Sequence, residues 1–195
     1  MSKTLAISRR RRANANLPIP LRMAHVVLYT ARYEEMKCWY RTVFNATLVL
    51  ERDGKQAFMT FDDEHHRILV SHKPGFADRR RDVAGVAHVA WTYGTLEDLF
   101  ATYDRLKSEG IMPNRVVNHG MTTSLYYPDP DRNLNELQVE NYDDVDEAFE
   151  LVAENRLQNV PFDADKMSVA VRAGVPGATL RAQSNVIRMV EAGEL

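Results

Sequence analysis

A chain of 195 residues with 45% hydrophobic and 27% charged content suits one compact globular domain with tails, or two small modules sharing a core. A net charge of −2 supplies no broad basic surface for nucleic acid or acidic lipid, so neither is an expected partner. The single cysteine, Cys38, can form no intramolecular disulfide and fits a reducing, cytoplasmic setting, and no apolar run approaches the ~20 residues of a membrane span.

Residues 1–21 lack periodicity, carry the basic run Arg9–Arg12 and end in Leu17-Pro18-Ile19-Pro20. They read as an extended arm, because each proline blocks helix. Residues 22–29 alternate as a strand, with His25, Val27 and Tyr29 on one face and Ala24, Val26 and Leu28 on the other. A helix is expected from about Tyr33 to Phe44, with Met36, Trp39, Tyr40 and Val43 at helical spacing. Strands follow at Leu48–Arg52, Ala57–Phe61 and Arg67–His72, the first pair joined by the hairpin turn Asp53-Gly54. Residues 73–85, with Arg79–Arg81, form a linker or a loop over a site.

The pattern then restarts. Residues 86–92 form a strand, and Leu96–Ser108 a helix with Leu99, Tyr103 and Leu106 inward, closed by Gly110. Strands are expected near Arg115–Val117, Thr122–Tyr127 and Glu136–Glu140, with the turn Asp129–Asn133 between the last two. The two halves share the order and length of their elements, which marks an internal duplication of a strand-helix-three-strand unit. Beyond residue 141 three helices are expected: Asp143 or Asp144 to about Arg156, with Val145, Phe149 and Val152 on one face; Asp163–Ala173; and Gly177–Ala192. Their apolar stripes must pack on the sheet's outer face or on a second subunit. The chain thus divides into an arm over 1–21, a paired-module domain over 22–141 (modules 22–72 and 86–141) and a helical extension over 142–195.

One feature recurs in both halves: an Ala-His-Val triplet in the first strand, at His25 and again at His88. A single histidine in an apolar strand is most simply a satisfied core residue. Two at equivalent positions of a repeat would be brought together by a pseudo-twofold axis. Glu136 opens a strand in which Glu136, Gln138 and Glu140 face one way and Leu137 and Val139 the other, as a wet or metal-lined face requires. His25, His88 and Glu136 are therefore the candidate ligands of one metal ion. Two imidazoles and a carboxylate suit Fe(II), filling one face of its octahedron and leaving three positions open. Zinc competes, since two histidines and a glutamate also form a catalytic zinc set.

The doubled unit resembles the vicinal oxygen chelate superfamily, which includes glyoxalase I, fosfomycin- and bleomycin-resistance proteins and type I extradiol catechol dioxygenases. The resemblance covers roughly residues 22–141 and is closest to the single-domain extradiol dioxygenases. The dioxygenase signature is matched by His119, Leu125, Tyr126, Asp129, Pro130 and Glu136 in order and spacing. It departs only at Arg132, where the family has Gly or Pro, so Arg132 is expected to strain its turn. The resemblance implies an α+β fold, two βαβββ modules forming an open mixed β barrel around a metal, with the helical tail added. It implies His25, His88 and Glu136 as iron ligands. His66, in Glu64-His65-His66-Arg67, takes the role of active-site acid/base, with His65 the alternative register. His119 and Tyr126 would hydrogen-bond the substrate oxygens. His65 and His72 otherwise carry no role.

The activity implied is Fe(II)-dependent extradiol cleavage of a catechol-type aromatic diol with both atoms of O2 incorporated, in aromatic compound catabolism, with Mn(II) or Zn(II) as lesser metals. The alternatives are a resistance or binding protein of fosfomycin or bleomycin type, or a glyoxalase-like lyase. A glyoxalase site needs a second carboxylate near Arg67–Leu69, which the sequence lacks. Trp91, Phe76, Tyr93 and Met121 are candidates for an apolar substrate pocket. With only two modules, the tail and arm are expected to build a homodimer or higher homo-oligomer.

Overall fold

The computed structural model describes residues 17–77, 80, 82 and 84–195. The basic run Arg9–Arg12, with Arg79 and Arg81, lies outside the described residues. The first module comprises β1 (Val26–Thr30), α1 (Tyr33–Phe44), β2 (Thr47–Arg52), β3 (Gln56–Thr60) and β4 (Ile68–His72). The second comprises β5 (His88–Thr92), α2 (Leu96–Ser108), β6 (Arg115–Asn118), β7 (Thr122–Pro128) and β8 (Leu134–Glu140). Each module forms its own sheet, ordered β1-β4-β3-β2 and β5-β8-β7-β6, with the first strand parallel to the last and the other pairs antiparallel. The duplication expected from the sequence is thus present strand for strand, as two open sheets.

Local chemistry sets the element ends. Asp53 and Gly54 both adopt positive φ, 53° and 58°, as the central residues of the tight turn that Lys55 N–H closes on the Arg52 carbonyl. Thr95 caps α2 by accepting from the Asp98 N–H at 3.0 Å. Gly110, at φ 77°, closes α2 as the N–H groups of Gly110 and Ile111 reach back to Lys107 and Leu106. β1 begins at Val26, later than the alternation suggested. The preceding backbone is held instead by a side chain, since Arg67 Nη1 donates to the carbonyls of Met23 (2.5 Å) and Ala24 (2.6 Å).

The core lies between each sheet and its helix. Met36, Tyr40 and Val43 of α1 are buried with Ala57, Met59, Ile68 and Val70. Leu99, Tyr103 and Leu106 of α2 are buried with Leu125, Tyr127 and Leu137. Full burial of such side chains contributes roughly 1.5–3 kcal/mol each. Cys38 is exposed on α1.

The modules are fastened to each other by polar and aromatic contacts. The Tyr40 hydroxyl donates to Asp129 Oδ2 at 3.0 Å, and Asn135 Nδ2 approaches the same hydroxyl at 3.3 Å. Trp91 Nε1 donates to Asn135 Oδ1 at 3.0 Å, and its ring packs on Phe44 and Phe61 at 5.2 and 5.6 Å. Arg105 of α2 donates to the carbonyls of Thr42 and Val43 at the end of α1, at 2.7 and 3.1 Å.

The tail forms α3 (Val145–Ala153), the short strand β9 (Val160–Pro161), α4 (Ala164–Arg172), α5 (Gly177–Arg181) and α6 (Gln183–Glu191). Two expectations change here, and one element is new. The expected last helix is two, because Ala182 turns extended at ψ 114° so that Leu180 and Val186 can both be buried. On α3 the buried residues are Ala148 and Leu151, whereas Val145, Phe149 and Val152 are exposed. The sequence also gave no sign of β9, which extends the second sheet by pairing antiparallel with β6. The tail docks on α2, where Tyr103 donates to Asp165 Oδ1 (2.6 Å), Ser168 donates to Asp104 Oδ1 (2.7 Å) and Arg172 pairs with Asp104. No helix among the described residues is long and apolar enough to cross a membrane.

Arg132 sits at φ 67° in the turn before β8, so the strain expected there is present. Arg132→Gly should raise the unfolding free energy by about 0.5–1 kcal/mol, the steric cost of a left-handed residue less the entropy cost of glycine. Urea denaturation of the two proteins measures the difference.

Candidate metal centre

His88 begins β5, and the parallel register sets Ala90 beside Glu136 of β8. Strand alternation therefore turns His88 and Glu136 to one face. Their side chains meet there, His88 Nε2 lying 2.9 Å from Glu136 Oε2. The imidazole side chain is 40% exposed and the carboxylate only 6%, so the pair opens outward from a nearly buried acid.

Tyr126 of β7 lies directly across from Glu136 and donates its hydroxyl proton to Oε1 at 2.8 Å. On the other side of the phenol stands His119, with Nε2 at 2.9 Å. The phenol thus has one proton and two acceptor-capable neighbours. Burial and the bond to Glu136 push the Tyr126 phenol well above its usual range, while Arg115 over its ring partly opposes this. His119 is held in turn through Nδ1, 2.6 Å from Asn159 Oδ1. Asn159 precedes β9 in the tail, and nothing in its sequence surroundings identified it. Four of the six candidate residues therefore form one cluster on the second sheet.

The other two lie on the first sheet. His25 precedes β1 and is exposed, with its ring stacked on His66 at 4.4 Å between centroids. His66 also meets the edge of Phe58 at 5.2 Å, and its Nδ1 lies 2.6 Å from Nδ1 of His65. His65, given no role by the sequence, is thus the direct partner of His66. Burial, followed by repulsion from His25 and His65, holds the His66 imidazolium below the usual histidine range. The partly buried turn is tied down where Arg22 Nη2 pairs with Glu64 Oε2 at 3.0 Å.

Within one chain the three expected ligands are divided. His88 pairs with Glu136, and His25 stacks on His66. Among the described residues, no three histidine, cysteine or acidic side chains come together as a set able to hold a metal. The donor chemistry of the His88–Glu136 half nonetheless fits a ferrous or zinc ion, since a nitrogen and an oxygen donor converge and the second carboxylate oxygen is already satisfied.

The apolar pocket differs from the expected one. Trp91 and Tyr93 line a cavity of about 470 Å³ at the module junction, together with Phe44, Phe61 and Met23, and none of the candidate histidines borders it. Phe76 lies elsewhere, edge-on to Tyr29 at 6.1 Å.

Two open sheets from a repeated βαβββ unit, with imidazoles and a glutamate on their strands, define the glyoxalase type of fold. The chain belongs to the Glyoxalase/Bleomycin resistance protein/Dioxygenase superfamily, whose family model matches residues 22–137. It is 43% identical over 160 residues to biphenyl-2,3-diol 1,2-dioxygenase 2 of Rhodococcus globerulus, covering 80% of this chain and 84% of that one. It is 38% identical over 165 residues to biphenyl-2,3-diol 1,2-dioxygenase 3 of the same organism, covering 82% and 86%. Among solved structures, lactoylglutathione lyase from Agrobacterium tumefaciens matches with a TM-score of 0.50 at 19% identity, over 62% of this chain and 94% of that one. A glyoxylase/bleomycin resistance protein/dioxygenase domain from Frankia sp. matches with a TM-score of 0.51 at 16% identity, over 60% and 96%. At these identities the structural matches establish the fold alone.

Tyr126→Phe removes a hydrogen bond to a nearly buried carboxylate. It should cost the metal-free protein about 1–3 kcal/mol, read as a lower denaturation midpoint with an unchanged slope. Gly120, at φ 89°, leaves no room for a side chain, since an added Cβ would stand 3.0 Å from Leu151 Cδ2 and 3.3 Å from the Gln183 amide. Gly120→Ala should destabilise by about 1–3 kcal/mol, from crowding and backbone strain together, as a thermal melt would show.

Proposed function

We propose that the chain is an Fe(II)-dependent extradiol dioxygenase, opening the ring of an aromatic diol beside its paired hydroxyls with O2 as the second substrate. The observation that carries this reading is the His88–Glu136 pair, backed by the Tyr126 and His119 relay. Similarity to two proteins named biphenyl-2,3-diol 1,2-dioxygenase, over most of their length, supports it. The ligands proposed are His25, His88 and Glu136, and the catalytic unit is the paired-module region 22–141, with the tail bracing it. The exposed, unbridged Cys38 fits a reducing cytoplasm, in which ferrous iron persists.

Ferrous iron, when bound, supplies a centre with open positions at which diol and O2 are held together and exchange electrons. The chain's own residues do the rest. His66 is held in its neutral form by burial and by two neighbouring imidazoles, so it is poised to take a proton from a diol hydroxyl. His65, at Nδ1, orients it. Its raised pKa keeps the Tyr126 phenol protonated at neutral pH, so it is a hydrogen-bond donor that would exchange its bond to Glu136 for one to a substrate oxygen when the diol binds. His119 positions that phenol, with Asn159 fixing the imidazole from behind. The apolar row beside His25, which includes Val27, suits the ring carbons of an aryl-substituted diol.

Anaerobic loading with ferrous iron, followed by 2,3-dihydroxybiphenyl in air, should produce a yellow ring-opened product and consume one O2 per diol. Glu136→Ala should lower bound iron to background. His66→Ala should retain iron and lose roughly 10²–10⁴-fold in turnover, the usual contribution of a positioned acid or base. Full activity in His66→Ala would remove His66 from the mechanism. An iron-loaded wild type inert toward every diol would overturn the dioxygenase reading.

A further inference from the structure

The face of the second sheet that carries His88 and Glu136 also carries a cation. Strand register sets Ala90 of β5, Glu136 of β8, Tyr126 of β7 and Arg115 of β6 in one row across the sheet. Directly paired residues share a face, so all four point the same way. Strands β5, β6, β7 and β8 contain no other lysine or arginine. With neighbouring strands about 4.8 Å apart, Arg115 stands two strands, roughly 10 Å, from Glu136.

Tyr126 connects the two ends of this row. Its ring meets the His88 ring edge-on at 5.5 Å, and its hydroxyl lies between Glu136 and His119. The Arg115 guanidinium rests over the same ring at 5.2 Å. The tyrosine is buried and Arg115 is exposed, so a wall leads from the candidate ligands to a cation at its open end.

Arginines with structural work in this molecule have acceptors. Arg67 donates to Asp62 and to two backbone carbonyls, Arg105 to the end of α1, and Arg181 to the Glu140 carbonyl and Asp143. Among the described residues, the Arg115 guanidinium has neither a hydrogen bond nor an ion pair. Its contact with Tyr126 uses the flat face of the group and leaves the N–H edge open. That edge is a fork matched to a carboxylate, which it binds through two parallel hydrogen bonds.

Resting on the iron reading above, we infer that Arg115 is a specificity-determining residue: it binds a carboxylate carried on a short side chain of the aromatic diol. The diol hydroxyls lie at the His88–Glu136 end of the row and the carboxylate at the Arg115 end. The roughly 10 Å between the ends is the span of an aromatic ring with a side chain of about two carbons. Neutral diols still enter, because nothing in the row repels them, but they leave the guanidinium edge to water. The substrate class favoured by this chain is therefore the acidic aromatic diol.

The test compares 3-(2,3-dihydroxyphenyl)propanoate with its methyl ester, which has nearly the same shape and no charge. Both are titrated by calorimetry into the anaerobic, iron-loaded protein, and both are then turned over in air. The wild type should bind the acid roughly 10–100-fold more tightly than the ester, the usual worth of hydrogen bonds to a charged group. The ratio of kcat/KM values should match, through KM, because the contact is made equally in the ground and transition states. Arg115→Met keeps an apolar stem over Tyr126 and should bring the acid-to-ester ratio to about one. Arg115→Lys keeps the charge without the fork and should fall between.

The ratio separates recognition from support of the Tyr126 ring, since lost support weakens acid and ester alike. A wild-type ratio near one, or a preference for the acid that survives in Arg115→Met, would overturn the inference. So would a wild type that binds neither ligand. If 2,3-dihydroxybiphenyl is still cleaved in those cases, the dioxygenase reading stands. A wild type inert toward every diol, yet binding the acid over the ester in a manner lost in Arg115→Met, would remove the dioxygenase reading and leave the carboxylate site.

Discussion

The buried carboxylate of Asp129 is the constraint on which the arrangement of this molecule depends. It is 3% exposed and accepts from the Tyr40 hydroxyl, the Asn133 backbone N–H and the Asn133 side-chain amide. Burial raises its pKa, and these three donors partly offset that. A half-satisfied acid at this depth would be costly, so the turn that carries it and the helix that serves it must stay together. That requirement fixes α1 of the first module against the β7–β8 turn of the second. The same turn delivers Glu136 to the start of its pairing with Tyr126 and Ala90. One buried acid thus sets both the angle between the modules and the height of the candidate ligand on its strand.

Much of this was legible in the sequence because it depends on local chemistry. Asp53-Gly54 named its turn, Gly110 its helix end, and strand alternation separated Leu137 and Val139 from Glu136 and Gln138. Four of the candidate residues meet for the same reason: His88, Tyr126 and Glu136 lie on adjacent strands, where spacing encodes register, and His119 directly follows β6. What the sequence could not convey is the relation between modules. Equivalent positions in a repeat suggest a pseudo-twofold axis, but they do not say whether that axis acts within a chain or between chains. The tail was opaque for a related cause. Val145, Phe149 and Val152 share a helical face, yet burial went to Ala148 and Leu151, the latter reaching the Gly120 turn of the second module, a contact that no local pattern encodes.

The tail does more than cover α2. Gln183 donates to the carbonyl of Gln158 at 2.8 Å and reaches Asn118 Oδ1 at 3.3 Å, while Asn118 Nδ2 donates to the carbonyl of Arg181 at 3.0 Å. These bonds clamp both sides of the His119–Gly120 bend. His119, bonded at both ring nitrogens and flanked by this clamp, has little rotamer freedom, which is what an orienting histidine needs. The helical extension therefore belongs energetically to the centre, although it lies outside the repeated unit.

β9 carries a consequence of another kind. The strand is two residues long, and its second residue, Pro161, has no N–H to offer beyond its pairing with Val117. A sheet that would otherwise end on β6, with a row of open backbone groups, ends on a strand that cannot template another. Intermolecular growth from that side is blocked without a charged or bulged edge. The protection is local to that edge: β1, β2 and β5 end their sheets with no such proline-bearing cover.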